Sequence, residues 1–142
     1  MPTLPVPKVV NSLDVSEDKA YEPPYTIRWG VDRESTGTQT ITMGRTIIPP
    51  RGRNRLHYHR NCDTTIYVVK GPINIYWKED GEIKRREVKV GHFVYFPCGC
   101  VHGQENPSQT EPAELIFTYG GMPNKDAAGT TFVDDPRDPL RD

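Results

Sequence analysis

Long apolar runs, an excess of charge of one sign and paired cysteines are all missing from this 142-residue sequence. No apolar run approaches membrane-spanning length, so no membrane partner is expected. The 18 basic residues nearly balance the 19 acidic ones, and a net charge of −1 gives no support for nucleic-acid binding. The cysteines Cys62, Cys98 and Cys100 are odd in number, and free thiols predict a cytoplasmic protein.

An export signal and a phosphate-binding loop are missing as well. The first ten residues contain three prolines and no basic segment followed by an apolar one, so a signal peptide is not expected. There is no glycine-rich loop of the kind that cradles phosphates, and no internal repeat. The length predicts one domain, which is large enough to bury a core without disulfides or a structural metal.

The two ends of the chain differ in composition from its middle. Apolar residues make up only 35% of the chain, which indicates that part of it lies outside the core. We interpret the proline-rich residues 1–24 as an irregular N-terminal arm, whose acidic residues Glu17 and Asp18 are ordinary surface charge. We interpret residues 121–142 as a polar C-terminal tail, either flexible or lying over the mouth of a barrel.

The middle of the chain, residues 25–120, has the pattern of an all-β domain. Short runs rich in β-branched and aromatic residues are separated by Gly, Pro and Asn, and no helical period is evident. Many short strands in one domain predict a sandwich or a barrel. The triplet Glu79-Asp80-Gly81 predicts a hairpin turn. The predicted strands cover residues 25–29, 39–48, 55–59, 65–70, 73–78, 84–88, 92–96, 101–106 and 115–119.

Three of the four histidines fall in two short segments. His57 and His59 are two residues apart, which on a strand places both on one face, about 6.6 Å apart along the chain. His102 follows the turn at Pro97-Cys98-Gly99 in a different strand, so the sheet is expected to close to bring it to the pair. The fourth, His92, is interpreted as a non-ligand. Three neutral imidazoles form a metal-binding set, and their concentration here predicts a metal centre.

The surroundings of these histidines follow two known motifs. The pattern G-x5-P-x-G-x2-H-x3-N is met at every fixed position, and the pattern G-x5-H-x-H-x3,4-E-x6-G is met in part. The matching residues are Gly91, Pro97, Gly99, His102 and Asn106 in the first pattern, and His57, His59 and Gly71 in the second. On these residues the chain resembles the cupin superfamily, as a small single-domain cupin, over roughly residues 40–119. The resemblance implies a double-stranded β-helix, a jelly-roll barrel, with the metal inside.

The glutamate of the second pattern, the usual fourth protein ligand of the family, is missing. Its place falls on Thr64 when counted back from Gly71, and on Asp63 with the shorter permitted gap. Thr64 is the better match because it shares the inward alternation of Ile66, but a hydroxyl is a poor ligand for a divalent ion. A three-His site with open positions is preferred. Asp63 or Gln104 as a further ligand comes next.

The resemblance also implies a class of function. We expect a metal-dependent enzyme that acts on a small organic anion, with dioxygenase-type chemistry and Fe(II) preferred. Zn, Mn or Ni would instead suit an isomerase, a decarboxylase or a polyketide-type cyclase. A barrel that binds metal or a small ligand without turnover is the other hypothesis. Arg55 shares the inward parity of His57 and is the candidate for binding a substrate carboxylate. Because cupins commonly pair, a homodimer is expected.

Overall fold

Ten strands form two five-stranded antiparallel sheets in the computed structural model, which describes residues 3–141. The strands are β1 (Thr26–Val31), β2 (Ile41–Ile48), β3 (His57–His59), β4 (Thr64–Lys70), β5 (Ile73–Glu79), β6 (Glu82–Val88), β7 (Phe93–Phe96), β8 (His102–Glu105), β9 (Ala113–Gly120) and β10 (Thr130–Phe132). One sheet has the order β1-β2-β9-β4-β7 and the other the order β10-β3-β8-β5-β6. The predicted jelly-roll fold is confirmed.

Within residues 3–141, helical structure is confined to single turns. These are the 3₁₀ turns Ser12–Asp14 and Asp126–Ala128 and the α-helical turn α1 (Arg33–Thr36). Asp32 caps α1, since its carboxylate accepts a hydrogen bond from the Ser35 amide. Among the described residues, no helix combines the length and the apolar character that a membrane crossing requires.

The core lies between the two sheets because inward positions alternate along the strands. In β4, Thr64, Ile66 and Val68 are buried while the residues between them are exposed, as the sequence pattern predicts. The main apolar cluster draws side chains from both sheets, such as Phe117 of β9 and Ile75 of β5. Each sheet therefore buries one face against the other.

The strand pairing confirms one turn predicted from the sequence and shortens one predicted strand. Asp80 and Gly81 both have positive φ, 51° and 78°, as a two-residue hairpin between β5 and β6 requires. The strand predicted over residues 55–59 begins only at His57. Before it, the Asn54 amide donates to the Gln104 carbonyl oxygen at 3.3 Å, while the Asn54 side chain accepts a hydrogen bond from the Gln104 amide at 2.8 Å. A side chain thus takes over one of the two backbone bonds at this position.

Both terminal segments contact the barrel. Within residues 121–142, β10 pairs with β3, with Thr130 opposite His59 and Phe132 opposite His57. Further along, Leu140 is 2% exposed and packs in a small cluster with Leu56. These contacts place the C-terminal segment alongside the strand that carries two of the histidines, at the edge of the same sheet.

Asp18 anchors the N-terminal arm, so its interpretation as ordinary surface charge was wrong. Its backbone forms an antiparallel β-bridge with Ile27, with one hydrogen bond in each direction. Its carboxylate accepts hydrogen bonds from Trp29 Nε1 at 3.0 Å and from Lys125 Nζ at 2.6 Å. The segment that follows, residues 19–24, is thereby held against the barrel on its way to β1.

Candidate metal centre

The three motif histidines meet on the inner face of one sheet. His57 and His102 lie directly opposite each other on the paired strands β3 and β8, and His59 follows His57 on the same face. The ring centroids are 4.4 Å apart for His57 and His102, 5.2 Å for His57 and His59, and 5.5 Å for His59 and His102. Pairing of neighbouring strands, rather than closure of the sheet, brings the third ring to the other two.

Short hydrogen bonds fix the orientation of two of the rings. His57 Nδ1 donates to the Arg55 carbonyl oxygen at 2.8 Å, and His102 Nδ1 donates to the Cys100 carbonyl oxygen at 2.9 Å. A carbonyl oxygen can only accept, so both protons sit on Nδ1 and the Nε2 lone pairs remain free in the neutral rings. Such an outer hydrogen bond is the usual companion of a metal-binding imidazole.

The third ring is held by a chain of hydroxyls. His59 Nδ1 is hydrogen-bonded to Thr130 Oγ1 of β10 at 2.9 Å. Thr130 Oγ1 in turn lies 2.6 Å from the Tyr21 hydroxyl of the N-terminal arm, which is 3.3 Å from the Tyr119 hydroxyl. Segments from both ends of the chain thus support the orientation of His59.

Burial keeps two of the three rings in the form that a metal needs. The three histidines are each 4% exposed or less. Burial, reinforced by the neighbouring His57 ring, lowers the pKa of His59 to about 3 and holds the pKa of His102 well below its usual range. Both rings are therefore neutral at pH 7, and neutral imidazole is the species that coordinates a divalent ion.

The space between the rings fits a single ion. The cavity has a volume of about 20 Å³, enough for one water-sized species. One donor atom from each of the three histidines lies within 4.8 Å of the other two. Two donors on a shared divalent ion, each about 2.1 Å from it and at a tetrahedral angle, are about 3.4 Å apart. The donor atoms need to approach one another by at most about 1.4 Å, so the residues fit a divalent metal after a small adjustment of the rings.

The residues considered as further ligands separate into those inside and those outside this cavity. Thr64 is 4% exposed and Gln104 is 7% exposed, and both line the cavity. The buried Thr64 hydroxyl makes no hydrogen bond of normal geometry and has the Cys62 thiol, a weak donor, as its polar neighbour. Asp63 is exposed and accepts a hydrogen bond from the Cys98 amide at 2.8 Å. Asp63 thus stabilises the turn before β8, away from the histidines.

Arg55 does not face the histidines either. It precedes β3, so the rule that alternate residues of a strand share a face does not apply to it. Its side chain is exposed, and its guanidinium lies 4.8 Å from the centroid of the Phe132 ring. It lines a separate, larger cavity of about 460 Å³, together with Arg53 and Pro24. The expectation that Arg55 points into the metal cavity was wrong.

Glu22, from the N-terminal arm, lines the cavity, although no sequence motif points to it. Its Oε1 atom lies 3.7 Å from His57 Nε2, and its side chain is 17% exposed. The side-chain amide of Asn54, itself 2% exposed, donates to the same oxygen. Glu22 is one of 19 acidic residues and belongs to neither motif, so the sequence carries no signal that distinguishes it.

A family model described as "Cupin domain" matches residues 44–119, more than half of the chain. The chain belongs to the cupin family. The match covers β2 to β9 and all three histidines of the cluster. The motif residue Asn106 of this cupin has a structural role. Its side-chain amide donates to the carbonyl oxygens of Ile48, Pro49 and Glu111 and so links the loops after β2 and β8.

Curated relatives of this cupin include germin-like proteins of rice, Oryza sativa subsp. japonica. Germin-like protein 3-8 is 30% identical over 104 residues, which cover 72% of this chain and 46% of that protein. Putative germin-like protein 12-4 is 28% identical over 85 residues, which cover 56% of this chain and 37% of that protein. The chain thus spans less than half the length of these relatives.

Solved structures with the same fold include several enzymes. The polyketide cyclase RemF from Streptomyces resistomycificus has a TM-score of 0.74 at 20% identity, covering 95% of this chain and 91% of that one. Oxalate decarboxylase from Bacillus subtilis has a TM-score of 0.73 at 18% identity, covering 92% and 33%. An oxalate oxidase in complex with the substrate analogue glycolate has a TM-score of 0.69 at 22% identity, covering 87% and 62%. At these identities the likeness supports the fold alone.

Proposed function

We propose that this cupin is an enzyme that holds a divalent metal ion between His57, His59 and His102 and acts on a small organic anion. The observation that carries the proposal is the convergence of three buried imidazoles, one donor atom each, on a cavity of the size of one ion. A divalent ion bound there would supply Lewis-acid or redox chemistry to a ligand in the coordination positions that the protein leaves open.

Fe(II) is the metal we propose first. Imidazole suits Fe, Zn, Ni and Cu, whereas Mn prefers oxygen donors, so nitrogen ligands alone narrow the choice only in part. The preference for iron follows the dioxygenase-type chemistry proposed from the family resemblance. Zn, Mn and Ni are the alternatives that the metal analysis below separates.

The lining of the cavity supports a small, charged substrate. Its free volume admits one water-sized species, so anything larger than a few atoms requires the lining side chains to move. Gln104 and Thr46 provide polar atoms beside the histidines, while Phe117 and Leu115 provide an apolar wall that excludes water. With three neutral ligands, the positive charge of the ion would favour an anionic ligand such as a carboxylate or an enolate.

Two of the solved relatives support the same substrate class. One is an oxalate decarboxylase and the other an oxalate oxidase in complex with glycolate, and oxalate and glycolate are both small carboxylates. We therefore propose a small carboxylate or enolate as the substrate and dioxygenase-type oxidation as the reaction. Arg55 remains a candidate for binding an anion only away from the histidines, since it lines the separate, larger cavity.

A polyketide-type cyclase is the second candidate. The observation that favours it is the length match with the polyketide cyclase, whose fold covers 95% of this chain and is itself covered to 91%. The small volume of the cavity favours the first candidate, because a polycyclic substrate would have to displace much more of its lining.

The metal content of the protein, purified without chelators, tests the proposal. We expect about one equivalent of Fe, Mn, Ni or Zn per chain, restored to the stripped protein by one of these ions. Oxygen consumption by the iron form would then be measured with small carboxylic acids, diketones, catechols and flavonoids. Failure of all four ions to bind would overturn the proposal. Stoichiometric metal without turnover would instead support a binding protein.

The proposed homodimer has its own support and its own test. The edge strand β7 exposes Phe93 and Tyr95, which are 80% and 60% accessible in the single chain. Exposed aromatic side chains on an unpaired edge strand are typical of a surface that another chain covers. Sedimentation equilibrium is expected to give twice the mass of one chain, and the mass of a single chain would rule the dimer out.

A further inference from the structure

The family's glutamate is missing from the motif, but a carboxylate reaches the histidine cluster from another part of the chain. Glu22 precedes β1 and lies outside both histidine motifs. Its Oε1 atom is 3.7 Å from His57 Nε2. Two donors bound to one ion at about 2.1 Å each, with a tetrahedral angle between them, are about 3.4 Å apart. The observed separation is close to that of two ligands of a common metal.

The contact between Glu22 and His57 leaves room for a cation in the form of the ring that binds metals. His57 Nδ1 is hydrogen-bonded to a carbonyl oxygen, so in a neutral ring Nε2 presents a lone pair toward the carboxylate oxygen. A lone pair and an anionic oxygen repel each other unless a cation lies between them. Within residues 3–141, His57 is the one basic side chain within ion-pair distance of Glu22. A largely buried carboxylate in such surroundings is costly without a cation.

The carboxylate is also held in place. Asn54 Nδ2 donates to Glu22 Oε1, and Asn54 Oδ1 accepts from the Gln104 amide of β8. The Tyr25 amide donates to the Glu22 carbonyl at 2.8 Å, which fixes the backbone. A carboxylate that is oriented by a buried amide, itself bonded to the strand that carries His102, is positioned as metal ligands usually are.

We propose that Glu22 is the fourth protein ligand of the metal ion, supplied by the N-terminal arm in place of the motif glutamate, whose position Thr64 occupies. This inference rests on the three-His metal centre proposed above. It adds one hard oxygen donor and one negative charge to three imidazoles. That donor set suits Fe(II) or Mn(II) better than imidazoles alone.

Binding of Mn(II) to the full chain, measured by isothermal titration calorimetry, tests the proposal. Glu22→Gln keeps the size of the side chain and an oxygen for Asn54, but removes the charge and the strong donor. We expect it to weaken Mn(II) binding at least about 10-fold, as the loss of even an outer partner does. Glu17→Gln is the matched control, since Glu17 lies in the same arm and pairs with Arg28. It should bind Mn(II) as the unmodified protein does.

A second variant separates coordination from simple charge. Glu22→Asp keeps the negative charge but withdraws the oxygens by one methylene group. A ligand role predicts weakened binding in Glu22→Asp as well, and a changed visible absorption spectrum of the Co(II) form in both variants. Wild-type affinity in Glu22→Asp with weakened binding in Glu22→Gln would overturn the proposal, because charge alone would then suffice. Wild-type affinity and spectrum in both variants would overturn it too.

The His102→Ala variant distinguishes failure of this inference from failure of the metal centre. If the unmodified protein binds Mn(II) and His102→Ala does not, the three-His centre stands whatever Glu22 does. If neither binds Mn(II), the metal centre itself is wrong, and the fourth ligand falls with it. Circular dichroism of each metal-free variant checks that the barrel is folded.

Discussion

His57 and His102 are oriented by the same local device. Each imidazole donates from Nδ1 to the carbonyl oxygen two residues earlier in its own chain segment, Arg55 for one and Cys100 for the other. The two residues are also direct partners in the pairing of β3 with β8. The two Nε2 atoms are consequently turned the same way, into the cavity, by short-range contacts that do not depend on a bound ion.

Removal of either of these imidazoles should abolish metal binding. His57→Ala and His102→Ala each leave two ring ligands, and we expect the affinity for Fe(II) or Mn(II) to fall by more than about 100-fold, beyond the usual cost of losing an outer partner. The barrel should stay folded, because the main apolar cluster is built from other residues. Removing the ring of His102, which stacks on Phe96 at 4.0 Å, is expected to cost about 0.5–3 kcal/mol of stability.

The control for that experiment is His92→Ala. His92 is exposed, lies before β7, and accepts a hydrogen bond from the Lys89 amide. Titration calorimetry should show unchanged metal affinity in this variant, and circular dichroism should show the spectrum of the unmodified protein in all three. If His57→Ala unfolds, His57 is needed for the fold itself and its role as a ligand is not isolated.

Loss of the hydroxyl behind His59 should weaken the site without dismantling it. Thr130→Val keeps the shape of the side chain but removes the hydrogen bond to His59 Nδ1 and that to Tyr21. We expect metal affinity to fall by about 10- to 100-fold, as it does when the outer partner of a ligand is removed. Thr131→Val on the same strand is the matched control, since its hydroxyl donates to the Gly129 carbonyl instead. Equal affinities in the two variants would show that Thr130 does not orient His59.

A glutamate at position 64 should strengthen metal binding at a cost to the metal-free protein. Thr64 faces the cavity, so Thr64→Glu brings a carboxylate to the position that the family motif assigns to it. We expect Fe(II) or Mn(II) to bind at least about 10-fold more tightly. Because the cavity is small, the larger side chain should lower the free energy of unfolding of the metal-free variant by about 1–3 kcal/mol, as measured by thermal unfolding. Unchanged affinity would mean that a side chain at this position does not reach the ion.

Docking of the N-terminal arm should be sensitive to acid through Asp18. Burial by itself would raise the pKa of this carboxyl, but hydrogen bonds from Lys125, Trp29 and two backbone amides outweigh it and lower the pKa to about 2. The stabilisation is therefore complete above the ordinary value of 3.8 and is lost as the pH falls toward 2. Trp29 fluorescence should report this loss, because the Trp29 indole donates to Asp18.

The Asp18→Asn variant supplies the comparison. It cannot titrate, so the fluorescence change between pH 4 and pH 2 should be missing or much reduced. Far-UV circular dichroism recorded in parallel separates release of the arm from unfolding of the barrel. The same fluorescence transition in both proteins would assign it to other acidic groups and not to Asp18.

The parts of the molecule that the sequence predicted are those set by local periodicity. The spacing of His57 and His59 and the inward alternation of Thr64 follow from the period of two in a strand, and the positive φ angles of Asp80 and Gly81 follow from the chemistry of a tight turn. Each of these features depends on residues within a few positions of one another, which a single sequence displays.

The parts that it did not predict depend on contacts between distant segments. Arg55 was assigned by strand parity, but β3 begins at His57 and the parity rule has no meaning before it. Asp63 is turned outward by the amide of Cys98, a contact that no spacing rule contains. Glu22 reaches the cavity because Asp18 fixes the arm and Asn54 holds its carboxylate. None of these contacts leaves a mark in the local pattern.

The hydrogen bond from β10 to His59 affects when the metal site can form during synthesis of the chain. Chains emerge from the ribosome from the N-terminus onward, so Glu22 and the three histidines are made well before Thr130. Until Thr130 has been synthesised and paired with His59, one imidazole lacks the hydroxyl that orients it. For the proposed metal centre, tight binding is accordingly expected late in biogenesis, and chains truncated before β10 should bind metal about 10- to 100-fold more weakly than the full chain.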